Sequence, residues 1–412
     1  MRTTLFRSSI VAAALILAAG ARVPAETDAE LFDLSAVQEI RLTMSTRDLN
    51  TLRERFEDNT YYAADFQWRE TKIRNVGIRS RGRASRVSSK LGIQVDFNRY
   101  ITGQRFVGLK ALVLDNLWQD PAFVRERVSM AFFSRMGLPA PRATFARVYI
   151  NNEYQGLYGL VEPIDSVFAE RVFGEPDGFL FEYKKQPSYV GAYLGEELEP
   201  YKQLFEAKTR EKQPDSVLYS PIRDLFREVS QPRHSAWRDT VGALANVEQL
   251  VRHVAVETYL AEDDGFLGSS GMSNFYVWRS EQNTAHRIIP WDKDLTFAGT
   301  EVHVLTRVED NEIFRRLMAY RPLRMLYFDA LEEMAKSARE ETWLRKEIAA
   351  SAGLIRDAVY EDPQKPYSNE DFEVSLKWLR QFPRLRSVYV LNSVRELKKA
   401  KWTPAFWDAS EK

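Results

Sequence analysis

The period of the hydrophobic pattern changes once along this chain, and that change limits the fold more than any other feature. Between residues 35 and 165 the apolar residues come in short runs. The segment Ile93-Gln94-Val95-Asp96-Phe97 alternates apolar and polar, as a half-buried strand does. Residues 73–80, 92–97 and 109–114 read as strands. Residues 145–150 and 154–161 flank Asn151-Asn152, a pair that tolerates the positive φ of a tight turn, so a hairpin is predicted there. One helix interrupts the strands: Asp120 caps it, Pro121 suits its first position, and Gly137 with Pro139 ends it. Residues 184–235 form a proline-containing, partly helical connector. Residues 247–260 are an amphipathic helix, and residues 275–278 and 286–290 are a second hairpin. From residue 311 to about 399 the period is helical. Strands followed by helices predict an α+β protein of two lobes with a cleft between them.

Composition narrows the class. The chain has 412 residues, 44% of them hydrophobic, which excludes wholesale disorder. Lys plus Arg and Asp plus Glu are both 58, so the net charge is zero and a globally basic nucleic-acid binder is disfavoured. The absence of cysteine excludes disulfides, thiolate metal sites and a cysteine nucleophile. The four histidines, His234, His253, His286 and His303, include no H-x-x-x-H pair, which disfavours a helical zinc site.

The first residues read as an address. Two arginines precede an apolar run over residues 10–19, and small residues follow at Ala19-Gly20-Ala21 and Val23-Pro24-Ala25. The run is half the length of a membrane span. We expect a signal peptide over residues 1–25, the alternative being a retained anchor. No later segment reads as a stable transmembrane span, so an exported, periplasmic or extracellular protein is expected. The two lobes are then residues 26–165 and 166–400, with a tail over 401–412.

Four segments carry candidate chemistry. Residues 69–110 hold eleven Lys or Arg and two acids, Glu70 and Asp96. Within them, Gly77 to Ser85 place arginines and serine around a glycine turn, followed by Lys90, and such a segment offers donors to phosphate. The plainer reading is a solvated basic face, or a docking patch for an anionic polymer. Residues 103–110 fall short of a Walker A loop, because leucine replaces the lysine after the second glycine, and no G-x-G-x-x-G occurs. Glu126 in the capped helix can face a strand lysine, Lys90 or Lys110; the bland alternative is a surface ion pair of little worth. Glu262-Asp263-Asp264 crowd the end of an apolar helix, where acids are unfavourable, so a cation or proton-transfer task is indicated. Finally, Asp292 and Asp294 end an apolar strand and Asn274 opens the preceding one. Hard oxygen ligands suit Mg²⁺ or Mn²⁺, though aspartate is also an ordinary turn former.

Taken in order, these segments resemble the CotH kinase family, an atypical protein-kinase-like group named after a spore-coat protein. The matching stretches are VGIRSRGRAS…K, GLKALVL, DPAFVRERVSMAFFSRMGLPAPR, VYINNEYQGLYGLVEPID, GFLFEY, VETYLAEDDGF, NFYVW and IIPWDKDLTF, over residues 76–297. The resemblance implies a two-lobed kinase-like fold and ATP- and metal-dependent phosphorylation of Ser/Thr hydroxyls on a protein acceptor. It implies Asp264 as the catalytic aspartate, with Asp263 as an alternative base. Asp292, Asp294 and Asn274 would hold Mg²⁺ or Mn²⁺. Arg81, Ser85 and Lys90 match the phosphate loop, with Lys110 an alternative lysine. Glu126 would orient that lysine, and Glu162 would lie in the linker at the adenine. Two departures stand out: Asn274 is ten residues after Asp264 where protein kinases usually have five, and Ala84 replaces a small polar residue. Rival readings are an inactive scaffold of an envelope layer, another ATP-dependent modification on the same fold, and a polymer-binding module.

Overall fold

The computed structural model describes residues 26–231, 234–340 and 342–400. The expected signal peptide and the tail lie outside these. The chain is α+β. A short helix α1 (Asp28–Leu31) leads into β1 (Gln38–Thr43), α2 (Thr46–Glu54), β2 (Tyr62–Trp68), β3 (Thr71–Arg81), β4 (Gly92–Asp96) and β5 (Ala111–Asp115). Helix α3 (Arg125–Arg135) follows, then β6 (Ala143–Ile150) and β7 (Glu153–Val161). These strands form a closed barrel in the order β1-β2-β3-β4-β5-β7-β6, shut by the parallel pairing of β1 with β6. The expected strands are present, and Asn151 and Asn152 take φ of 51° and 67° in the β6–β7 hairpin. Alternation drives closure: Phe66, Phe97, Phe106 and Trp68 point inward and pack ring on ring, with centroids 4.7–5.6 Å apart. Such pairs add about 0.5–1.5 kcal/mol each beyond area burial.

Two expectations need correction. The first lobe holds a second long helix, α2, whose Leu49 and Leu52 are buried against the barrel core. The capped helix starts at Arg125, not beside Asp120. Asp120 still serves it: Oδ2 accepts from the backbone N–H of Arg125 at 2.8 Å, while Oδ1 accepts from that of Ala122 at 2.8 Å. The Asp-Pro segment is thus a tight turn that feeds the helix rather than its first turn.

The second lobe begins with α4 (Ser166–Phe173), β8 (Phe179–Tyr183), α5 (Glu199–Leu204) and β9 (Phe205–Ala207). Then come α6 (Asp215–Ser230), α7 (Trp237–Leu244), α8 (Val247–Tyr259), β10 (Phe275–Arg279) and β11 (Arg287–Pro290). The expected second hairpin is β10–β11, and β8 and β9 extend it to a four-stranded sheet in the order β11-β10-β8-β9. Four helices end the described chain: α9 (Glu312–Ala319), α10 (Arg321–Glu340), α11 (Trp343–Glu361) and α12 (Asn369–Lys399). Helix α8 is central and packs on α10, with Val251, Val254, Ala255 and Tyr259 in the core. Arg386 of α12 is fully buried and donates to the carbonyls of Thr258 and Tyr259 at 2.6 and 3.1 Å. It thereby satisfies acceptors at the end of α8, from which the acidic loop departs. Among the described residues no helix is long and apolar enough to cross a membrane.

Candidate active site

Strands β3 and β5 end on the same rim of the barrel, in Arg81 and Asp115, which form an ion pair at 3.0 Å. Glu126, in the first turn of α3, and the segment after β11 come to this rim. The Arg81 guanidinium lies 5.6 Å from the Trp291 ring centroid. Asp292 follows with φ of 52°, a left-handed conformation that aspartate tolerates better than most residues.

The rim is rich in uncompensated carboxylates. No hydrogen bond from the protein reaches the side chains of Glu126, Asp292 or Asp294 among the described residues. Burial, then the charge of Asp115, pushes Asp292 up to about 6 against the pull of Arg81 and Lys293. Burial and the charges of Asp115 and Asp292 hold Glu126 well above the usual range. Asp294 is raised in the same way, by burial first and Asp292 next. Carboxylates that destabilise one another's ionised form, without donors, are groups a bound cation would relieve. Their hard oxygens fit Mg²⁺ or Mn²⁺. No three carboxylate or imidazole side chains among the described residues close into a complete metal cage.

Asp264 sits in the loop after α8. Its Oδ1 is ion-paired with Lys185, its Oδ2 accepts from Asn274 Nδ2 at 3.2 Å, and its carbonyl accepts from the same nitrogen at 2.9 Å. The ten-residue gap to Asn274 is therefore closed by direct contact. Among the described residues no donor reaches Asn274 Oδ1. Asp263, the alternative base, has both oxygens taken, by Arg307 at 2.7 Å and Ser269 at 2.8 Å.

A buried network holds this loop. Lys293, between the two aspartates, donates to Glu257 Oε1 at 2.8 Å and to the Asn274 carbonyl at 3.0 Å. Glu257 Oε2 accepts from the Phe266 backbone at 2.8 Å, and His253 lies 3.1 Å from Oε1. Burial works to raise Glu257, but Lys293 and His253 overcome it and hold the carboxyl down at about 2. Gly265 is required here, because a Cβ would stand 2.6 Å from Glu257 Oε2. Glu262 Oε2 is buried without a partner among the described residues, and burial pushes that carboxyl up to about 7.

Several candidates lie elsewhere. Neither lysine stands at Glu126. Lys90 is fully buried, donating to Asp362 at 2.7 Å and to the Leu157 carbonyl at 2.8 Å, and Lys110 bonds Ser166. Arg81, itself paired with Asp115, is the foremost cation acting on Glu126, and no lysine–glutamate pair forms there among the described residues. No hydrogen bond of the Ser85 hydroxyl occurs among the described residues, and its carbonyl accepts from Asn116 at 2.8 Å. The Glu162 carboxylate, in the linker, is committed to Arg142 at 2.9 Å and Arg171 at 2.5 Å. Sequence reading missed Asp115, Lys185, Glu257 and Lys293. Glu257 was accessible as an acid at i+4 from His253 on an apolar helix face, and Asp115 as the acid that closes a strand, one strand removed from that of Arg81. Nothing local marks Lys185, whose role arises only from tertiary contact. A cavity of ≈ 520 Å³ behind α3 and α4 contains none of the site residues.

A sequence model described as CotH kinase protein matches residues 78–390. The inner spore coat protein H of Bacillus subtilis (strain 168) is 24% identical over 361 residues, covering 85% of this chain and 95% of that protein. The proinflammatory kinase CtkA of Helicobacter pylori superposes with a TM-score of 0.36 at 9% identity, over 78% of this chain and 95% of its own. The match over residues 78–390 takes in the barrel rim, the acidic loop and the Asp292 segment, and with it the chain belongs to the CotH kinase protein family.

Proposed function

We propose that this protein is an exported, kinase-like enzyme that transfers the γ-phosphate of ATP to a Ser or Thr hydroxyl of a protein acceptor, using Mg²⁺ or Mn²⁺. The observation that carries this reading is the donor-poor carboxylate cluster of Glu126, Asp292 and Asp294 around Arg81, beside Asp264 and Asn274. Phosphoryl transfer asks the protein to position groups and neutralise charge rather than to make bonds. The metal would be held by Asp292, with Asp294 and Asn274 Oδ1 near it, and would neutralise phosphate oxygens. Arg81 and the Ser85 hydroxyl would face phosphate, and Glu126 would orient Arg81. Asp264 Oδ2 would orient the acceptor hydroxyl and take its proton, while Lys185 holds the same carboxylate in place. Lys90 and Lys110 have structural partners and leave the phosphate to Arg81. The spore-coat location named for the Bacillus relative, together with residues 1–25, supports a surface or exported setting.

Asp264→Asn is expected to keep nucleotide affinity and lose transfer by about 10²–10⁴-fold. Phosphate on the acceptor is read by intact mass, and nucleotide binding by calorimetry. Loss of binding with transfer would make Asp264 a ligand and place the base elsewhere. A second reading, a weakly active scaffold or a different transferred group, is favoured by the missing lysine at Glu126. The same mass measurement separates it, because a nucleotide adduct is heavier than a phosphate.

A further inference from the structure

Residues 69–110 carry eleven cations, and three of them form ion pairs: Arg69 with Glu30, Arg81 with Asp115, and Lys90 with Asp362. The remaining eight meet no carboxylate among the described residues. Elsewhere the arginines are typically paired, as Arg142, Arg210, Arg223 and Arg252 are. The difference has a structural basis on the outer face of β3. Arg79 Nε donates to Tyr61 Oη at 3.2 Å, and its other nitrogens reach the Asn59 side chain at 3.3 Å, the Ser80 carbonyl at 3.1 Å and Gln94 at 2.5 Å. Arg86 donates to the Asp58 and Ser80 carbonyls at 2.6 and 2.9 Å and to Ser80 Oγ at 3.1 Å. All of these acceptors are neutral. They fix the guanidinium groups in place and leave their charge uncancelled.

Arg99 completes the patch. It lies over the Tyr61 ring at 4.6 Å, on the same ring that Arg79 approaches at 5.5 Å. Gly77 makes room for it, since a Cβ there would stand 2.7 Å from the Arg99 side chain. Tyr100, 47% exposed, supplies an open aromatic face beside them. The acids around the patch act only at a distance, Asp58 and Glu57 on Arg86 and Asp48 and Asp96 on Tyr100, and none of them pairs with these arginines among the described residues. Two residues beyond Arg79 on the same strand, about 7 Å on, is Arg81 at the barrel rim.

We infer that this patch, Arg79 and Arg99 on Tyr61 with Arg86 next to Arg79, is a docking surface for an acidic segment of the protein acceptor. The inference rests on the kinase reading for the segment's purpose, but not for its binding. A polypeptide is the occupant, because one chain can lie on the patch and present a hydroxyl at the rim where β3 ends. Guanidinium groups already held in a fixed geometry bind carboxylates with less ordering cost than free side chains.

The test uses the protein from residue 26 onward and a fluorescein-labelled peptide with one serine among glutamates. Controls are the same peptide with glutamine for glutamate, and heparin as a sulfated polysaccharide. At low salt the glutamate peptide should bind at least about tenfold tighter than the glutamine peptide, and the advantage should shrink as salt screens it. Arg99→Glu, at an exposed position, should weaken it about tenfold while the melting temperature stays unchanged, and Arg79→Gln/Arg99→Glu should weaken it further. Asp292→Ala should bind the peptide as the wild type does. Equal affinity for the two peptides, or an Arg99→Glu protein that binds normally, overturns the inference. So does an effect of Arg99→Glu on heparin alone, which would make the patch a carbohydrate-polymer site. Failure of the wild type to transfer phosphate would remove the kinase reading and leave the peptide-binding result standing.

Discussion

Individual side chains decide where the charge of this protein can change. His286 shows this away from the candidate site. It is buried just before β11, one nitrogen lies 2.9 Å from the Leu244 carbonyl, and Nε2 has no partner among the described residues. Burial pushes its pKa down to about 4, from 6.5 for a free imidazole. The unfolded chain therefore binds a proton between pH 6.5 and 4 that the folded chain refuses, so stability falls as the pH falls through that window. The full difference is about 3 kcal/mol. Urea midpoints measured from pH 7 to 4.5 should drop in the wild type and drop less in His286→Gln. An unchanged slope in the variant would mean that other groups govern the acid limb. At the same scale, Asp264, Asn274 and Asp292 were legible as candidates because acids crowded at a helix end or spaced at i and i+2 are costly without a task. Lys185 was not legible, since its contact with Asp264 spans 79 residues.

Among the secondary-structure elements, the β3–β4 loop and the end of α11 are tied to each other and to β7 by a buried ion pair whose lysine, Lys90, was one of two candidates for phosphate. Lys90 and Asp362 have side chains that are 0% exposed. Asp362 also accepts from the Leu157 backbone at 2.9 Å, and Lys90 returns a bond to the Leu157 carbonyl at 2.8 Å. Burial works to lower the lysine's pKa, and Asp362 opposes it. Removing one partner strands the other charge in a dry interior, which costs about 3–5 kcal/mol. Lys90→Met should lose that much stability in urea unfolding, and Lys90→Met/Asp362→Leu should recover part of it. A Lys90→Met protein of normal stability and impaired nucleotide affinity would return Lys90 to the phosphate site. The strands and hairpins were legible because period-2 alternation and Asn-Asn turns are local signals. Closure of the barrel was not, because it depends on the parallel register of Ile40 with Val148, a contact between distant segments.

The molecule as a whole is a barrel set beside a helical lobe, and the candidate site forms where the ends of β3, β5 and β11 approach each other. Its central feature is a negative cluster, poor in donors, that a divalent cation and phosphate would complete together. The most direct test incubates the chain from residue 26 with Mg²⁺, terminally labelled ATP and a serine-containing acceptor, beside Asp292→Ala. The expected result is label on the acceptor that depends on Mg²⁺ and falls at least about 10²-fold in the variant, with both proteins equally folded. Label transfer at the wild-type rate by Asp292→Ala, or transfer indifferent to Mg²⁺, would contradict the assignment of this cluster.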